Sequence, residues 1–244
     1  MRSFVNETGA ETMNPILFYG VPEGCSFGAI VALEWSGLPY QLCRIQMPEV
    51  VSSEAFKRVN PVGETPSLRT GDGRFVSQSV AILHHIGAAA PASGLVPAQG
   101  SAAFDRFNEM LAFLNTDFFE SFAPLWYAME HGLQGEALRG VKAMGHDKVR
   151  RAHAALEGLL DGREWLVGEH RSAADAYLMG IARWNHFHQV LDRRDYPALH
   201  ALCERLQADP AVRFAHGVEH GEPVRSTGAF AGHVELGELL AQTA

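Results

Sequence analysis

The feature that most constrains the fold is an apolar run near the N-terminus, followed by a tight turn and a helical segment. Residues Ile16–Val21 form the run, and the turn ends in Gly24-Cys25-Ser26. Helical spacing then extends from Ser26 to Trp35 and is closed by Gly37. The pattern predicts a short buried strand followed by a helix, which places Cys25 at the helix N-terminus.

A cysteine at a helix N-terminus has two explanations. The unpaired amides and the macrodipole favour an anion there, so a thiolate should form more easily than in a free cysteine. A small, buried, chemically inert thiol explains Cys25 equally well on position alone. The position of Cys25 alone does not distinguish a reactive thiol from a structural one, so the distinction depends on the rest of the sequence.

The residues after this helix predict a small mixed sheet. Residues 40–45 alternate with period two, so residues 16–45 predict a βαβ unit with parallel strands. Cys43 lies within the second strand and is expected to be a packed structural thiol. Pro66 precedes a further strand-like segment, and the Gly-Asp-Gly turn at 71–73 predicts a hairpin. Ser77-Gln78-Ser79 then begins a compact helix whose free amides and hydroxyl form a natural anion site.

The second half of the chain predicts helices only. Residues 88–100 are rich in Pro, Ala and Gly and are interpreted as a linker. A helical apolar stripe starts at Ser101, and Pro124 is expected to end or kink that helix. Ser172-x-x-Asp175 has the form of a capping box before the apolar helix 176–190.

These signals predict five segments. They are an N-terminal extension (1–14), an α/β domain (15–87), the linker (88–100), a helical domain (101–216) and a C-terminal tail (217–244) with a short helix near 234–242.

Charge and cysteine usage narrow the function classes. A net charge of −8 without a Lys/Arg cluster argues against nucleic-acid binding. No apolar run is long enough to span a bilayer, residues 1–14 lack the apolar core of a secretory signal, and the three cysteines are widely spaced. The twelve histidines show no zinc-site spacing. We therefore expect a cytoplasmic protein without a membrane partner, a disulfide framework or a metal.

The order of these segments resembles the glutathione transferase superfamily. Four motifs carry the resemblance: Tyr19–Ser26, Asn60-Pro61-x-Gly63-x-Thr65-Pro66-x-Leu68, Gln78-Ser79-x-Ala81-Ile82, and Ser172-x-x-Asp175-Ala176-Tyr177. Gly24-Cys25-Ser26 is most similar to the bacterial, cysteine-containing (beta-like) branch. The resemblance implies a thioredoxin-like N-terminal domain that binds glutathione, followed by an all-helical domain that supplies the second substrate's pocket.

The resemblance also implies roles for individual residues. The Thr65 backbone, before a cis-Pro66, would pair with the cysteinyl part of glutathione, and Glu64 in the same segment is included in the site. Gln78 and Ser79 would hold the γ-glutamyl carboxylate and amine. This fits an extended anionic tripeptide, which favours backbone pairing and a helix N-terminus.

The resemblance favours Cys25 as the catalytic group, which would hydrogen-bond the glutathione thiolate or form a mixed disulfide with it. Ser26 and Tyr19 are its rivals, because a serine at this helix start or a tyrosine ending the first strand serves other branches. Ser172 and Asp175 would be structural.

Two departures from the family pattern weaken the expected site, the first in its grip on the α-ammonium of glutathione and the second in the activation of the thiol. Gln78 stands where an acidic residue is usual and so lacks the charge that grips the α-ammonium. Phe119 and Glu120 stand where the cysteine branch often carries a His-Lys pair near the thiol.

The sequence thus predicts a homodimeric glutathione transferase that conjugates glutathione to an electrophilic, largely apolar small molecule. A thiol-disulfide reductase using Cys25 and a non-catalytic glutathione-binding module are the alternatives. Five aromatic residues of the helical half either line a cosubstrate pocket or pack in the core: Phe118, Phe119, Phe122, Trp126 and Trp184.

Overall fold

The structure is a computed structural model that describes residues 4–5 and 11–241. Its strands are β1 (Phe4–Val5), β2 (Glu11–Thr12), β3 (Ile16–Val21), β4 (Pro39–Gln46), β5 (Ser67–Arg69), β6 (Phe75–Ser77) and β7 (Ala229–His233). Its α-helices are α1 (Phe27–Ser36), α2 (Glu54–Lys57), α3 (Ser79–Ala89), α4 (Ala102–Phe113), α5 (Ala123–Glu130), α6 (Gly135–Leu159), α7 (Ala173–Ala182), α8 (Trp184–His188), α9 (Pro197–Ala208), α10 (Pro210–His220) and α11 (Leu236–Ala241).

The chain forms two compact units. The first contains the described residues up to 95 together with those from 210 onward, and the second contains residues 96–209. The sequence-based boundaries placed residues 210–216 in the helical domain and 217–244 in a tail. The structure instead groups the described residues of both segments with the sheet. Within the predicted extension at 1–14, the described residues include the antiparallel pair β1–β2. Residues 1–3 and 6–10 of this extension lie outside the described part of the chain.

The first unit has a five-stranded sheet in the order β6-β5-β3-β4-β7. β3 is parallel to β4 and antiparallel to β5, which is antiparallel to β6. The predicted βαβ unit, hairpin and thioredoxin-like architecture are thereby confirmed. All six residues of β3 are buried, which explains why the run is uniformly apolar rather than alternating.

The C-terminal segment completes this sheet, which the sequence did not predict. β7 pairs in parallel with β4. Ser226, Thr227 and Gly228 come just before β7 and bind the buried carboxylate of Glu34 in α1. The Ser226 hydroxyl donates at 2.6 Å, and the Thr227 and Gly228 amides donate at 2.8 and 2.9 Å. The segment interpreted as a C-terminal tail is therefore fixed to the helix that follows Cys25.

The second unit contains only helices, as predicted, but the first of them is shorter than expected. Residues 114–119 form a π-helical turn and 120–122 a 3-10 turn, so α4 ends at Phe113. Pro124 lies in the first turn of α5, where its missing N–H costs no helical bond. The predicted helix 176–190 is divided into α7 and α8.

The capping box at the start of α7 is confirmed. The Ser172 side chain accepts a hydrogen bond from the Asp175 backbone amide, and the Asp175 side chain accepts one from the Ser172 backbone amide. All ten residues of α7 are buried. Even so, no helix among the described residues is both long and apolar enough to cross a membrane.

Candidate functional site

The turn between β3 and α1 brings Cys25 against Thr65. The Cys25 thiol donates to the Thr65 carbonyl oxygen, with 3.2 Å between Sγ and O. Cys25 is partly exposed, whereas Cys43 and Cys203, the other two cysteines of the sequence, are buried. Burial raises the pKa of Cys43 to about 12 and that of Cys203 to about 11. Those two thiols are therefore protonated and inaccessible at neutral pH.

Ser26, the second predicted catalytic residue, uses its hydroxyl oxygen as the acceptor for a backbone amide. Its side chain is fully buried, and its Oγ accepts a bond from the Gly20 amide at 3.0 Å. Ser26 also serves as the N-cap residue of α1 without capping the helix through its side chain. The bond to Gly20 ties the start of α1 to the end of β3 and so fixes the turn that carries Cys25.

Two glycines permit the close packing of this turn. A Cβ on Gly20 would lie 2.2 Å from Thr65 Oγ1, and one on Gly24 would lie 2.3 Å from the Gly20 carbonyl oxygen. Neither space accepts a methyl group. The absence of side chains at both positions allows the Cys25 turn and the Thr65 segment to meet.

The predicted cis bond between Thr65 and Pro66 is confirmed. Thr65 is buried, and its hydroxyl lies 3.5 Å from the Met47 sulfur, a neighbour that the sequence did not point to. Glu64 is exposed, and its carbonyl oxygen accepts from the Asn60 side-chain amide at 2.6 Å. The Glu64 carboxylate is thus at the surface, and its backbone holds the loop.

Strand register brings the remaining predicted residues to the same edge of the sheet. Ser67 lies opposite Ser77 in the β5–β6 pair and opposite Phe18 in the β3–β5 pair. Thr65 and Pro66 come just before Ser67, and Gln78 and Ser79 come just after Ser77. The geometry therefore collects Thr65, Pro66, Gln78 and Ser79 near the end of β3.

Gln78 has an unusual backbone conformation. Its φ is +74°, and it is the N-cap residue of α3 without a side-chain cap bond. Positive φ in a non-glycine residue costs of order 1 to 3 kcal/mol and is often found at functional sites. Gln78 is exposed and Ser79 is buried in the first turn of the helix. The start of α3 therefore presents an amide side chain together with the positive end of the helix dipole.

Tyr19, the other rival of Cys25, lies in a different environment. It is buried, and its hydroxyl is 3.3 Å from His233 Nε2 on β7, with the Arg44 guanidinium 6.0 Å from its ring. Burial raises the pKa of Tyr19 despite the nearby Arg44. Arg44 in turn donates to the Val218 and Glu219 carbonyl oxygens at the end of α10. These contacts could not be predicted, because His233 belongs to the segment interpreted as a tail.

The five aromatic residues predicted to line a pocket or to pack in the core lie together in the helical unit. Phe118, Phe122 and Trp184 are buried, and the Phe122 and Trp184 rings are 5.8 Å apart. Phe119 and Trp126 each pack on the Trp184 ring, with centroids 5.1 and 5.3 Å from it. Both Phe119 and Trp126 are partly exposed. Most of the set is core, and Phe119 and Trp126 border it. Glu120 is exposed.

No group of three or more histidine, cysteine, aspartate or glutamate side chains in the described part of the chain is arranged to hold a metal ion. The oxygen, nitrogen and sulfur atoms around Cys25 instead suit hydrogen bonding to a peptide-like ligand. A backbone carbonyl, an amide side chain and a helix N-terminus all occur at this edge.

Comparison with known proteins identifies relatives of both units. Residues 24–89 match the glutathione S-transferase N-terminal domain family, and residues 127–210 match the glutathione S-transferase C-terminal domain family. Glutathione S-transferase GST-4.5 of Xanthomonas campestris is 31% identical over 197 residues, which cover 81% of this chain and 95% of that protein.

Two further relatives differ in what their names record. The structure of a sphingomonad glutathione S-transferase complexed with glutathione has 32% identity and a TM-score of 0.72, and covers 84% of this chain and 98% of that one. Probable maleylacetoacetate isomerase 2 of Drosophila melanogaster is 25% identical, covering 84% of this chain and 88% of that protein.

Proposed function

This chain belongs to the glutathione S-transferase family, and from that premise we propose that it binds glutathione at the β3–α1 turn and conjugates it to an electrophilic, largely apolar small molecule. The observation that carries the proposal is the bond between the Cys25 thiol and the Thr65 carbonyl oxygen. It puts the one partly exposed cysteine beside the backbone that would pair with the cysteinyl residue of glutathione.

The residues at this edge supply complementary groups for an extended anionic tripeptide. The Thr65 backbone would pair with the cysteinyl residue, as a strand edge does with an extended peptide. The first turn of α3, with Gln78 and Ser79, would receive the γ-glutamyl carboxylate and amine. Glutathione bound in this way has its sulfur next to Cys25 Sγ.

In the proposed reaction, the glutathione thiol loses its proton to water, and the Cys25 thiol turns its single proton from the Thr65 carbonyl oxygen to the glutathione sulfur, which it stabilises as the thiolate. The thiolate attacks the electrophilic carbon, for example of a chloro-aromatic compound, and chloride leaves as the carbon–sulfur bond forms. The protein's contribution is a lowered thiol pKa of glutathione and the positioning of the two reactants. Ser26 contributes by fixing the turn through Gly20.

Replacing Cys25 by alanine tests this assignment. Removal of the thiol donor leaves the glutathione thiolate with one hydrogen bond fewer, so we expect kcat for conjugation of a chlorodinitrobenzene to fall by about tenfold, the equivalent of one charge-assisted hydrogen bond. Glutathione affinity, measured by calorimetry, should change less because Thr65, Gln78 and Ser79 remain.

The matched control is Cys203→Ala, which removes a buried thiol in the other unit. It should leave both kcat and glutathione affinity at the wild-type values. Unchanged turnover and affinity in Cys25→Ala would refute a role for Cys25, and absence of glutathione binding to the wild-type chain would refute the proposed function as a whole.

Gln78 gives a prediction of opposite sign. Replacing it by glutamate introduces a carboxylate at the exposed N-cap of α3, where it would pair with the α-ammonium of glutathione. We expect glutathione to bind up to about fivefold more tightly at low salt, since exposed ion pairs contribute up to about 1 kcal/mol. Calorimetric titration in increasing salt should reduce this gain, whereas a gain independent of salt would contradict ion pairing.

Thiol-disulfide exchange is a second candidate, favoured by the partly exposed sulfur of Cys25. The Cys25 thiolate would attack the glutathione sulfur of a mixed disulfide, releasing the substrate thiolate and leaving Cys25 bonded to glutathione. A second glutathione thiolate would then attack that sulfur, releasing oxidised glutathione and regenerating Cys25. Turnover of a glutathione mixed disulfide, with no conjugation of the chloro-aromatic compound, would select this activity.

Assembly and location belong to the same proposal. We propose a homodimer, as the resemblance implies, located in the cytoplasm, as the three widely spaced cysteines indicate. Sedimentation equilibrium of the purified chain tests the assembly, for which a mass of twice 26.6 kDa is expected. Fractionation of the source cells tests the location.

A further inference from the structure

The C-terminal segment 221–241, which we call the strap, wraps around one edge of the sheet in the first unit. It follows α10 and lies beyond residue 210, where the match to the C-terminal domain family ends. Its residues 226–228 bind Glu34 of α1, β7 pairs along β4, and α11 packs beside β4. The functions proposed above use none of these contacts.

The buried Glu34 carboxylate holds the first part of the strap on α1. It accepts from the Ser226 hydroxyl at 2.6 Å and from the Thr227 and Gly228 amides at 2.8 and 2.9 Å. The Tyr40 hydroxyl of β4 donates to the same carboxylate. Hydrogen bonds to a charged acceptor are stronger than neutral ones. A Cβ on Gly228 would lie 2.7 Å from the Glu34 carbonyl oxygen, so a larger residue there would hold the strap away from α1.

β7 and α11 cover the edge and one face of β4, and β7 also reaches its other face. Tyr40 and Cys43 are an odd number of residues apart in β4, so their side chains point to opposite faces. The Phe230 ring of β7 packs on the Tyr40 ring at 5.6 Å, and Leu239 of α11 belongs to the same apolar cluster as Cys43. Without the strap, β4 would be an edge strand with unpaired amides and carbonyls.

The strap also contacts the two elements that flank the β3–α1 turn. Glu34 lies on α1, which begins just after this turn. On the strand side, His233 Nε2 of β7 is 3.3 Å from the hydroxyl of Tyr19 in β3. Tyr19 precedes Gly20, whose amide donates to Ser26 Oγ. The closed strap therefore restrains both the strand and the helix between which the proposed glutathione site begins.

The strap can separate as a unit because its connection to α10 is exposed. All five residues of this connection, 221–225, are exposed, and Gly221 has a φ of +70°. A change of conformation there moves the strap and leaves α10 intact. Segments near a chain end open locally at a lower free energy than global unfolding requires.

We propose that the strap is a latch on the glutathione site, an inference that rests on the function proposed above. The closed strap keeps the β3–α1 turn in the conformation that binds glutathione. When the strap opens, α1 and β3 lose these restraints and glutathione binds more weakly. Because coupling between two equilibria is reciprocal, bound glutathione also holds the strap closed.

Hydrogen exchange of the full chain, followed by mass spectrometry with and without saturating glutathione, tests the latch. We expect the amides of 226–235 to exchange as one unit and to slow by about fivefold or more when glutathione is bound, which is the usual range of coupling between sites. The amides of α9, in the other unit, are the reference and should slow less.

Gly228→Val measures the same coupling from the other side. Its side chain would clash with the Glu34 backbone and prevent docking of the strap. Its strap amides should exchange like those of an unfolded segment. Glutathione affinity, measured by calorimetry, should fall by the factor found for strap exchange in the wild type. The matched control is Gly237→Val in α11, where a Cβ meets nothing within 4 Å, and both measurements should stay at wild-type values.

Glu34→Gln provides a second measurement if Gly228→Val does not fold. It keeps the size of the side chain and removes its charge, so the weakened bonds should let the strap amides exchange about tenfold faster. Glutathione should slow this exchange by the same factor as in the wild type. Glu222→Gln, at an exposed carboxylate of the connection, should leave strap exchange unchanged.

Two results would overturn the latch. One is that glutathione slows the strap amides no more than those of α9. The other is wild-type glutathione affinity in a folded Gly228→Val whose strap exchanges freely. Failure of the wild-type chain to bind glutathione is a different result, because it would refute the proposed function itself and the latch with it.

Discussion

Replacing Asp175 by alanine is expected to lower the free energy of unfolding by about 4 kcal/mol. The Asp175 carboxylate is fully buried and accepts from the Leu166 amide at 3.0 Å and from the Ser172 amide and hydroxyl at 2.8 Å each. Alanine would leave two buried amides without an acceptor, at about 1 to 3 kcal/mol each, and would also remove half of a capping box. Urea unfolding followed by circular dichroism measures the loss.

The two smaller changes at this cap separate its parts. Ser172→Ala removes one hydroxyl and should cost about 1 kcal/mol, the usual value for an N-cap serine. Asp175→Asn keeps one oxygen as an acceptor but turns an amide NH₂ toward a donor, so its cost should lie between those of the other two variants. If Asp175→Ala lost less free energy of unfolding than Ser172→Ala, Asp175 would not be the centre of the cap.

The capping box could be predicted because all its parts lie within four residues of sequence. The strand–turn–helix unit around Cys25 and the hairpin at 71–73 are also local, with bonds between Gly20 and Ser26 and between Thr70 and Arg74. In each case the hydrogen bonds join neighbours, and the residue types that can form them are few. Thr65, Gln78 and Ser79 were identified through the resemblance, and the strand register explains why segments so far apart in sequence meet.

The C-terminal segment could not be predicted for the opposite reason. Ser226, Thr227 and Gly228 are ordinary turn residues in sequence, and only the fold brings them to the Glu34 carboxylate on α1. Three of the five residues of β7 are alanine or glycine, so its alternation is weak, and its pairing with β4 crosses most of the chain. Long-range pairing of this kind leaves little local signal.

The fates of Ser26 and Tyr19 show the same limit at the site itself. Both residue types can stabilise a thiolate, and sequence alone left both open beside Cys25. Their hydroxyls have other neighbours, the Gly20 amide and the His233 ring. Neither neighbour could be inferred from residue type, because each depends on how the β3–α1 turn and the last strand fold back.

Acid should destabilise the protein through His153. This histidine of α6 is fully buried, with ring centroids of Phe118 and Tyr196 at 4.8 and 5.6 Å. Its Nδ1 lies 2.8 Å from the Val149 carbonyl oxygen, and its Nε2 has no hydrogen-bond partner among the described residues. Burial, with a smaller contribution from Arg193, lowers its pKa to about 4. The folded chain therefore holds His153 neutral where the unfolded chain protonates it.

The sign of the effect follows from proton binding. Below pH 6.5, the usual histidine pKa, the unfolded chain takes up a proton at His153, and the folded chain takes it up only near pH 4. Stability from this group is complete above about pH 6.5 and is lost as the pH falls to about 4, by about 3 kcal/mol in all. Burial raises the pKa of Asp175 to about 6, so Asp175 titrates over a similar range with the opposite sign.

Because the two titrations oppose each other, the measurement is a difference between variants. The unfolding free energies of wild type and His153→Leu, determined in urea from pH 7 to pH 4, should shift relative to each other by about 3 kcal/mol, with the variant gaining at acid pH. His170→Leu, at an exposed histidine, is the matched control and should run parallel to wild type. Parallel curves for His153→Leu as well would mean that the folded protein accommodates a charged His153 in its aromatic surroundings.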